Sequence, residues 1–209
     1  MDSRGFTLVE LVISMAILAI ISVLGIVALQ SSTTSMATAE SKADVQDNVR
    51  DALAAMTREL QMASKTSDDS LTPPLDAVAI NANPAAGSPT ELVFQTPTSG
   101  SGRNWSRPIR YRYLNEDANG NGRLDSGEDL DSDSVLSRRI VRIQDRNGDG
   151  DTADTGETTP VGGANDLSTV QFARTGDVIT ITLTADKFMR GRRSDPVRVT
   201  VSSDVYLQN

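Results

Sequence analysis

The 209-residue chain contains no cysteine and no histidine. The first absence excludes disulfides, thiolate nucleophiles and cysteine metal sites together. The second removes the commonest general base and the commonest transition-metal ligand. A serine nucleophile would then need Lys or Asp as its partner, and no G-x-S-x-G elbow occurs. The residue inventory therefore argues against an enzyme. Aromatic residues are only 4% of the chain, so any core must rest on aliphatic side chains. A basic stripe of the kind nucleic acid requires is also missing, since the formal net charge is −8. The densest basic cluster, Lys187, Arg190, Arg192 and Arg193, reads as a solvated loop, with a subunit-docking patch as the next reading.

One long hydrophobic run is present. From Leu11 to Leu29 the sequence is almost unbroken in apolar residues. A helix from Phe6 to Leu29 would be roughly 36 Å long, enough to cross the hydrocarbon core of a bilayer. A buried core helix and a secretory signal peptide are the ordinary alternatives, but a signal peptide has a basic leader, a shorter apolar core and a small-residue cleavage site. Glu10 fits none of these, because a carboxylate in hydrocarbon costs about 2.5–3.5 kcal/mol even on lenient insertion scales. An acid placed there calls for a function and a cationic partner.

The run Gly5-Phe6-Thr7-Leu8-Val9-Glu10 resembles the type III signal of type IV prepilins and type II secretion pseudopilins. The resemblance implies cleavage between Gly5 and Phe6 by prepilin peptidase, and N-methylation of the new Phe6 terminus. It also implies an assembly role for Glu10, whose carboxylate would neutralise the amino terminus of a neighbouring subunit. Residues 1–5 would be the leader and 6–29 the transmembrane and assembly helix.

The helical pattern continues beyond the membrane. After a Ser/Thr-rich passage at residues 31–35, apolar residues recur at Val45, Val49, Leu53, Met56, Leu60 and Ala63, one face of an amphipathic helix. Residues 30–64 are expected to continue the stem, with Gly25 and the Ser/Thr passage as points of bending or local melting, and Met56 and Met62 as core fillers. Residues 65–209 form the head. A Pro- and Ser-rich, loop-like connection over 65–102 holds one short strand at residues 91–95. Alternation then predicts strands at 109–113, 139–143, 170–173, 178–183 and 197–201, with Thr175-Gly176-Asp177 as a hairpin turn. The expected fold is α+β, a long N-terminal helix packed on an antiparallel sheet. Trp105 reads as an edge or packing residue. This element order resembles the larger minor subunits, the W-type minor pilins and J-type minor pseudopilins. Many pilins close their C-terminal region with a disulfide, which this chain cannot form.

The acidity is concentrated in an insert at residues 115–157, where 12 acidic and five basic residues leave a local balance of −7. Asp117, Asn119, Asn121, Gly122, Arg123, Asp125 and Glu128 fall at positions 1, 3, 5, 6, 7, 9 and 12 of an EF-hand type calcium loop. Side-chain oxygens at alternate residues can fold around a hard cation, the Arg123 carbonyl adds a ligand and Glu128 can close the shell. A second pattern begins at Asp145, Asn147, Asp149, Gly150 and Asp151, with Glu157 as the closing acid one residue late. The flanks read as strands, so these would be calcium loops grafted onto a sheet. One or two calcium ions would then replace the missing disulfide as a staple. The competing reading is that Asp, Asn and Gly simply make solvated turns. A glycosidase-like carboxylate pair is another reading of the insert, but metal ligation explains the acids better.

These features lead to a structural subunit resident in the bacterial inner membrane before joining a periplasmic or surface filament. Its expected partners are other pilin or pseudopilin subunits, prepilin peptidase and the inner-membrane assembly platform, with nucleic acid disfavoured. A minor pilus subunit acting in filament initiation or at the tip leads, with a minor pseudopilin and a calcium-stapled adhesive head as alternatives.

Overall fold

A computed structural model describes residues 7–63, 78–82, 90–96, 105–130, 132–163, 165–189 and 192–207. Two compact units are present, Met1–Ser41 and Lys42–Asn209. The leader and the Gly5/Phe6 junction lie outside the described residues, as does most of the connection over 65–102.

Helix α1 (Leu8–Leu60) is 53 residues long, about 80 Å at the α-helical rise. It is unbroken through Gly25 and through the Ser/Thr passage, where bending or melting was expected. The hydroxyls there turn back onto their own helix: Thr33 and Thr34 donate to the Gln30 carbonyl at 3.0 and 2.8 Å, and Thr38 to Thr34 at 2.8 Å. Ser14 and Ser22 do the same toward Glu10 and Leu18, each at 2.8 Å. In hydrocarbon such internal bonding is what makes a hydroxyl tolerable. Within the first unit every large apolar residue from Leu8 to Leu29 is at least 53% exposed. That surface is far larger than soluble monomers leave uncovered.

In the second unit the helix does bury a face. Val45, Val49, Leu53, Met56, Leu60 and Ala63 are all buried, as their spacing predicts, and Ala52 joins them. Burying each larger side chain contributes about 1.5–3 kcal/mol. Met62 departs from the expectation: it is 56% exposed, because the helix has ended at Leu60 and the chain is already turning.

Eight strands follow, β1 (Val78–Ala82), β2 (Thr90–Phe94), β3 (Ile109–Asn115), β4 (Arg138–Ile143), β5 (Thr158–Pro160), β6 (Leu167–Thr175), β7 (Val178–Met189) and β8 (Arg192–Tyr206). The α+β class holds. Instead of one sheet, however, the strands form two antiparallel meanders in chain order, five-stranded β1 to β5 and three-stranded β6 to β8. A parallel bridge between Arg138 and Asp166 links them. Inward positions alternate as the pleat requires: Ile109, Tyr111 and Tyr113 on β3, and Ile179, Ile181, Leu183 and Ala185 on β7, share one core with the helix stripe. The Tyr113 hydroxyl donates to the Leu167 carbonyl at 2.6 Å, tying β3 to β6, and burial raises its pKa to about 12. The basic cluster is not a loop as expected, since Lys187 lies on β7 and Arg192 and Arg193 on β8; Arg190 is outside the described residues. On the outward face of β7 and β8, Thr180 pairs with Asp204, Thr182 with Ser202 and Thr184 with Thr200, each by a side-chain hydrogen bond of 2.7–3.1 Å.

Gly162 shows how closely the elements approach. A β-carbon there would lie 2.7 Å from the Ala52 backbone, and its φ of +65° is one that side-chain-bearing residues rarely adopt. The turn after β5 thus lies directly on the helix.

Glu59 clamps the last helical turn to the sheet. Its carboxylate accepts from Arg142 Nε at 3.0 Å and Nη2 at 2.7 Å, and from the Tyr111 hydroxyl. Tyr111 and Arg142 face each other across β3 and β4. Burial raises the Glu59 pKa, but the Arg142 fork and then the Tyr111 hydroxyl outweigh it, and the net shift is downward. Burial, and then the same carboxylate, hold the Tyr111 hydroxyl protonated well above its ordinary range. A carboxyl with a depressed folded pKa contributes stability that is complete above the ordinary carboxylate value and is lost as pH falls through the folded one. Denaturation midpoints of the detergent-solubilised chain should therefore drop on acidification below about pH 4.5. Glu59→Gln should be less stable at pH 7 and show a shallower acid limb. An unchanged pH dependence in that variant would contradict the clamp.

Candidate functional site

The N-terminal site is built on the first turn of α1. The Thr7 N–H and hydroxyl donate to Glu10 Oε2 at 3.3 and 3.2 Å, and the Glu10 N–H donates to Thr7 Oγ1 at 3.3 Å. This reciprocal arrangement is a capping box, in which two otherwise orphaned helix-end donors are satisfied. The T-x-x-E spacing carries that signal in the sequence, and the reading of Glu10 as an assembly residue passed over it. The carboxylate thus has a local partner within its own chain, at the positive end of the helix dipole.

Residues 1–28 match the family described as the prokaryotic N-terminal methylation motif. The chain carries a prepilin-type methylation signal. The motif indicates a type IV pilin-like or pseudopilin substrate of prepilin peptidase that assembles with other pilins, and it points to a structural rather than an enzymatic protein. The following helix, apolar and long enough to cross a bilayer, fits membrane anchoring of such a prepilin-like subunit before assembly. No curated protein and no solved structure matches the chain.

The two acidic loops occupy consecutive connections of the five-stranded sheet, the first between β3 and β4, the second between β4 and β5. In the first, Asp117 Oδ1 accepts the Gly122 N–H at 3.0 Å, while Asn119 Oδ1 and Asn121 Oδ1 accept the N–H groups two residues on, at 2.9 and 2.7 Å. The second repeats this scheme. Asp145 Oδ2 accepts from Gly150 at 3.2 Å, and Asn147 and Asp149 accept from the residues two ahead at 2.9 and 3.0 Å. Gly122 at φ +70° and Gly150 at +96° supply the sharp turn at the sixth position of each.

The loops differ in how their acids converge. In the first, Asp117 is buried and lies 3.9 Å from Arg138, whereas Asp125 is exposed and accepts the Asn119 and Asn121 amides at 2.8 and 2.6 Å. Those two amides hold the Asp125 carboxyl below its ordinary pKa. Glu128 accepts the Asp125 N–H at 3.1 Å, and the Arg123 N–H is held by Asn121. Asp117, Asp125 and Glu128 do not form a compact group of three. Among the described residues one carboxylate triad does, Asp149, Asp151 and Asp154, whose oxygens all lie within 4.8 Å of one another and could hold a metal ion. The Asp151 N–H and then the Asn147 amide hold the Asp149 carboxyl below its ordinary pKa. Asp154 was not singled out by the twelve-residue register, although an extra acid nine residues after Asp145 is visible in the sequence. Asp145 pairs with Arg107 at 2.9 Å. Glu157, expected to close the shell, is 2% exposed and accepts the Arg146 and Asn147 N–H groups at 2.7 and 3.2 Å.

Glu116 was missed entirely. It is fully buried at the end of β3, where Oε1 accepts the Leu130 N–H at 2.9 Å and Oε2 accepts the Ser137 N–H and hydroxyl at 2.9 and 2.7 Å. One carboxylate therefore pins both the far end of the first loop and the start of β4. Around this segment the pattern of the acidic loops recurs: Asp129, just before the first pin, accepts the Ser134 N–H at 3.2 Å and Asp133 the Val135 N–H at 2.7 Å, with Ser132 and Ser134 at φ near +60°.

Proposed function

We propose that the chain is a minor structural subunit of a type IV pilus or related filament, cut by prepilin peptidase after Gly5, methylated on Phe6, and acting in filament initiation or at the tip. The observation that carries this reading is the methylation motif on a helix whose first 22 described residues bury nothing, followed by a head with a core of its own. Such a stem waits in the inner membrane and finds its cover among the stems of other subunits once the assembly platform draws it out. Glu10 pairs there with a neighbour's amino terminus, exchanging its capping bond for a charge-assisted one. The filament is periplasmic or on the cell surface. Supporting the minor role are the size of the head and its acidic insert.

A minor pseudopilin of a type II secretion system shares the same signal and stem. The loops favour one further feature, calcium held by oxygen ligands as a substitute for the disulfide this chain cannot make. The first loop would offer Asp117, Asn119, Asn121, the Arg123 carbonyl, Asp125 and Glu128. An adhesive head stiffened this way is the remaining alternative. The test is to follow the N-terminal peptide in sheared surface filaments and in the cell envelope: a methylated Phe6 peptide in the sheared fraction supports a pilus subunit, and its confinement to the envelope favours the pseudopilin.

A further inference from the structure

Two surfaces of the second unit complement each other in shape and charge. The first is an open groove of about 420 Å³ between the C-terminal part of α1 and β8, lined by Arg50, Leu53, Ala54, Thr57 and Arg58 of the helix and Ser203 of the strand. Leu53 is buried and Thr57 half-buried, so they make its floor. Arg50, Ala54 and Arg58 stand exposed on one ridge of residues four apart, with about 12 Å of helix between the two arginines. Among the described residues neither arginine has a hydrogen-bond or ion-pair partner. A cation at each end of an apolar floor selects an acidic segment with apolar side chains at its centre.

The second surface has that chemistry. Leu130 and Val135 are 58% and 60% exposed. Glu116 pins the N–H groups of Leu130 and Ser137, and the Ser134 N–H donates across the turn to Asp129 at 3.2 Å, which sets Leu130 and Val135 on one projection. A single exposed apolar side chain is ordinary, but a pair held out on a pinned turn calls for a cover. No basic residue lies between Arg123 and Arg138, whereas Asp125, Glu128, Asp129 and Asp133 do. Asp133 shares its charge with Arg139 at 3.5 Å, and Glu128 and Asp129 have no ion-pair partner among the described residues. The projection leaves β3 and β4 of the five-stranded sheet, while the groove borders β8 of the other.

We propose that the Leu130 and Val135 projection of one copy docks into the α1/β8 groove of a second copy, with its apolar side chains on Leu53 and Thr57 and its carboxylates against Arg50 and Arg58. Groove and projection are different surfaces, so the contact is heterologous and repeats head to tail, the type that extends a helical assembly instead of closing a dimer. This goes beyond the function proposed above, because it places copies of this chain side by side and names the head surfaces that join them. A patch of this size binds weakly between free molecules, and stems held together raise its effective concentration.

The absence of cysteine makes disulfide trapping a direct test. Full-length Ala54→Cys and Leu130→Cys chains, co-solubilised in detergent and mildly oxidised, should form mixed disulfide-linked pairs about tenfold faster than either variant alone links to itself; adding Arg50→Glu and Arg58→Glu to the Ala54→Cys chain should remove about that factor, since like charges then meet. Raising the salt concentration should slow the mixed reaction of the chains that keep both arginines, which tests the same charges without substitution. Gln171→Cys, exposed on β6, takes the place of Leu130→Cys as a control for collisions driven by the stems and should link at the background rate. Circular dichroism checks that each variant is folded. Equal linking by the Gln171→Cys control, a mixed rate indifferent to both charge reversal and salt, or no mixed pair above the single variants overturns the proposal. None of these results alters the Phe6 terminus, so the contact can fail while the filament reading stands.

Discussion

Glu10→Ala is expected to stay in the membrane as a processed monomer and to enter filaments at least about 100-fold less well than wild type. The size follows from the proposed pairing: removing one partner of a desolvated ion pair costs about 3–5 kcal/mol because the other charge is left uncompensated. Leader cleavage should be unchanged, since the proposed cut between Gly5 and Phe6 lies four residues before Glu10. Loss of a capping box is a smaller matter, about 0.5–2 kcal/mol of local helix stability. The two contributions separate in Glu10→Gln. A glutamine side chain still offers an oxygen to the Thr7 N–H and hydroxyl, so a capping role alone predicts normal incorporation. The pairing role predicts that Gln fails almost as badly as Ala, because an amide cannot neutralise an ammonium group. Quantitative blotting of sheared filaments against the membrane fraction reads the difference, and wild-type incorporation of Glu10→Gln would end the pairing account.

Glu116→Ala should give the largest loss of stability in the head. The substitution removes a fully buried carboxylate and strands three donors, the N–H groups of Leu130 and Ser137 and the Ser137 hydroxyl. Hydrogen bonds to charged groups contribute about 1.5–3 kcal/mol each, but the three share one acceptor and the carboxylate's own desolvation is relieved, so the net cost is about 3–4 kcal/mol. For a domain of this size that lowers Tm by about 6–16 °C. Hydrogen exchange should quicken at Leu130 and Ser137 before the rest of the head opens, because Glu116 holds the ends of the first loop rather than the core. Glu116→Gln should fall between wild type and Ala, as one of its two side-chain ends becomes a donor facing donors. A Tm within 2 °C of wild type for the alanine variant would mean that the insert is not anchored this way.

What the sequence made legible follows from how much burial each segment has. The helix stripe from Val45 to Ala63 was readable residue by residue, because one face is packed and the other wet, and that contrast is written directly in the spacing. The strands at β3, β4, β6 and β7 were readable for the same reason at period two. β8 was seen only at Val197 to Val201, and its remaining length comes from pairing with β7, with Thr and Ser on the outward face in place of a strong apolar signal. β1 and β5 were invisible: three residues of β5 and five of β1 are too short for a pattern, and their partners define them. The division into two sheets likewise depends on which strands pair.

The candidate sites show the same limit. Spacing found both acidic loops and their turn glycines, since alternate oxygens and a sixth-position glycine are local. It did not find Asp154 in the triad, because that acid stands off the twelve-residue register, or Glu116 under the insert, because its role comes from chain brought back by folding. Thr7 with Glu10 was local and still passed over, as the same acid also answered to a second reading. Glu59 with Arg142 spans 83 positions of sequence and could be learned only from the fold.

The central claim is that this chain is a processed filament subunit, and its mature amino terminus tests that most directly. Mass spectrometry of the N-terminal peptide from sheared filaments and from the envelope should find N-methylated Phe6 as the first residue, and no peptide retaining Met1 to Gly5 in any assembled fraction. A terminus still at Met1 in both fractions would contradict the account and leave a membrane-anchored protein with acidic loops.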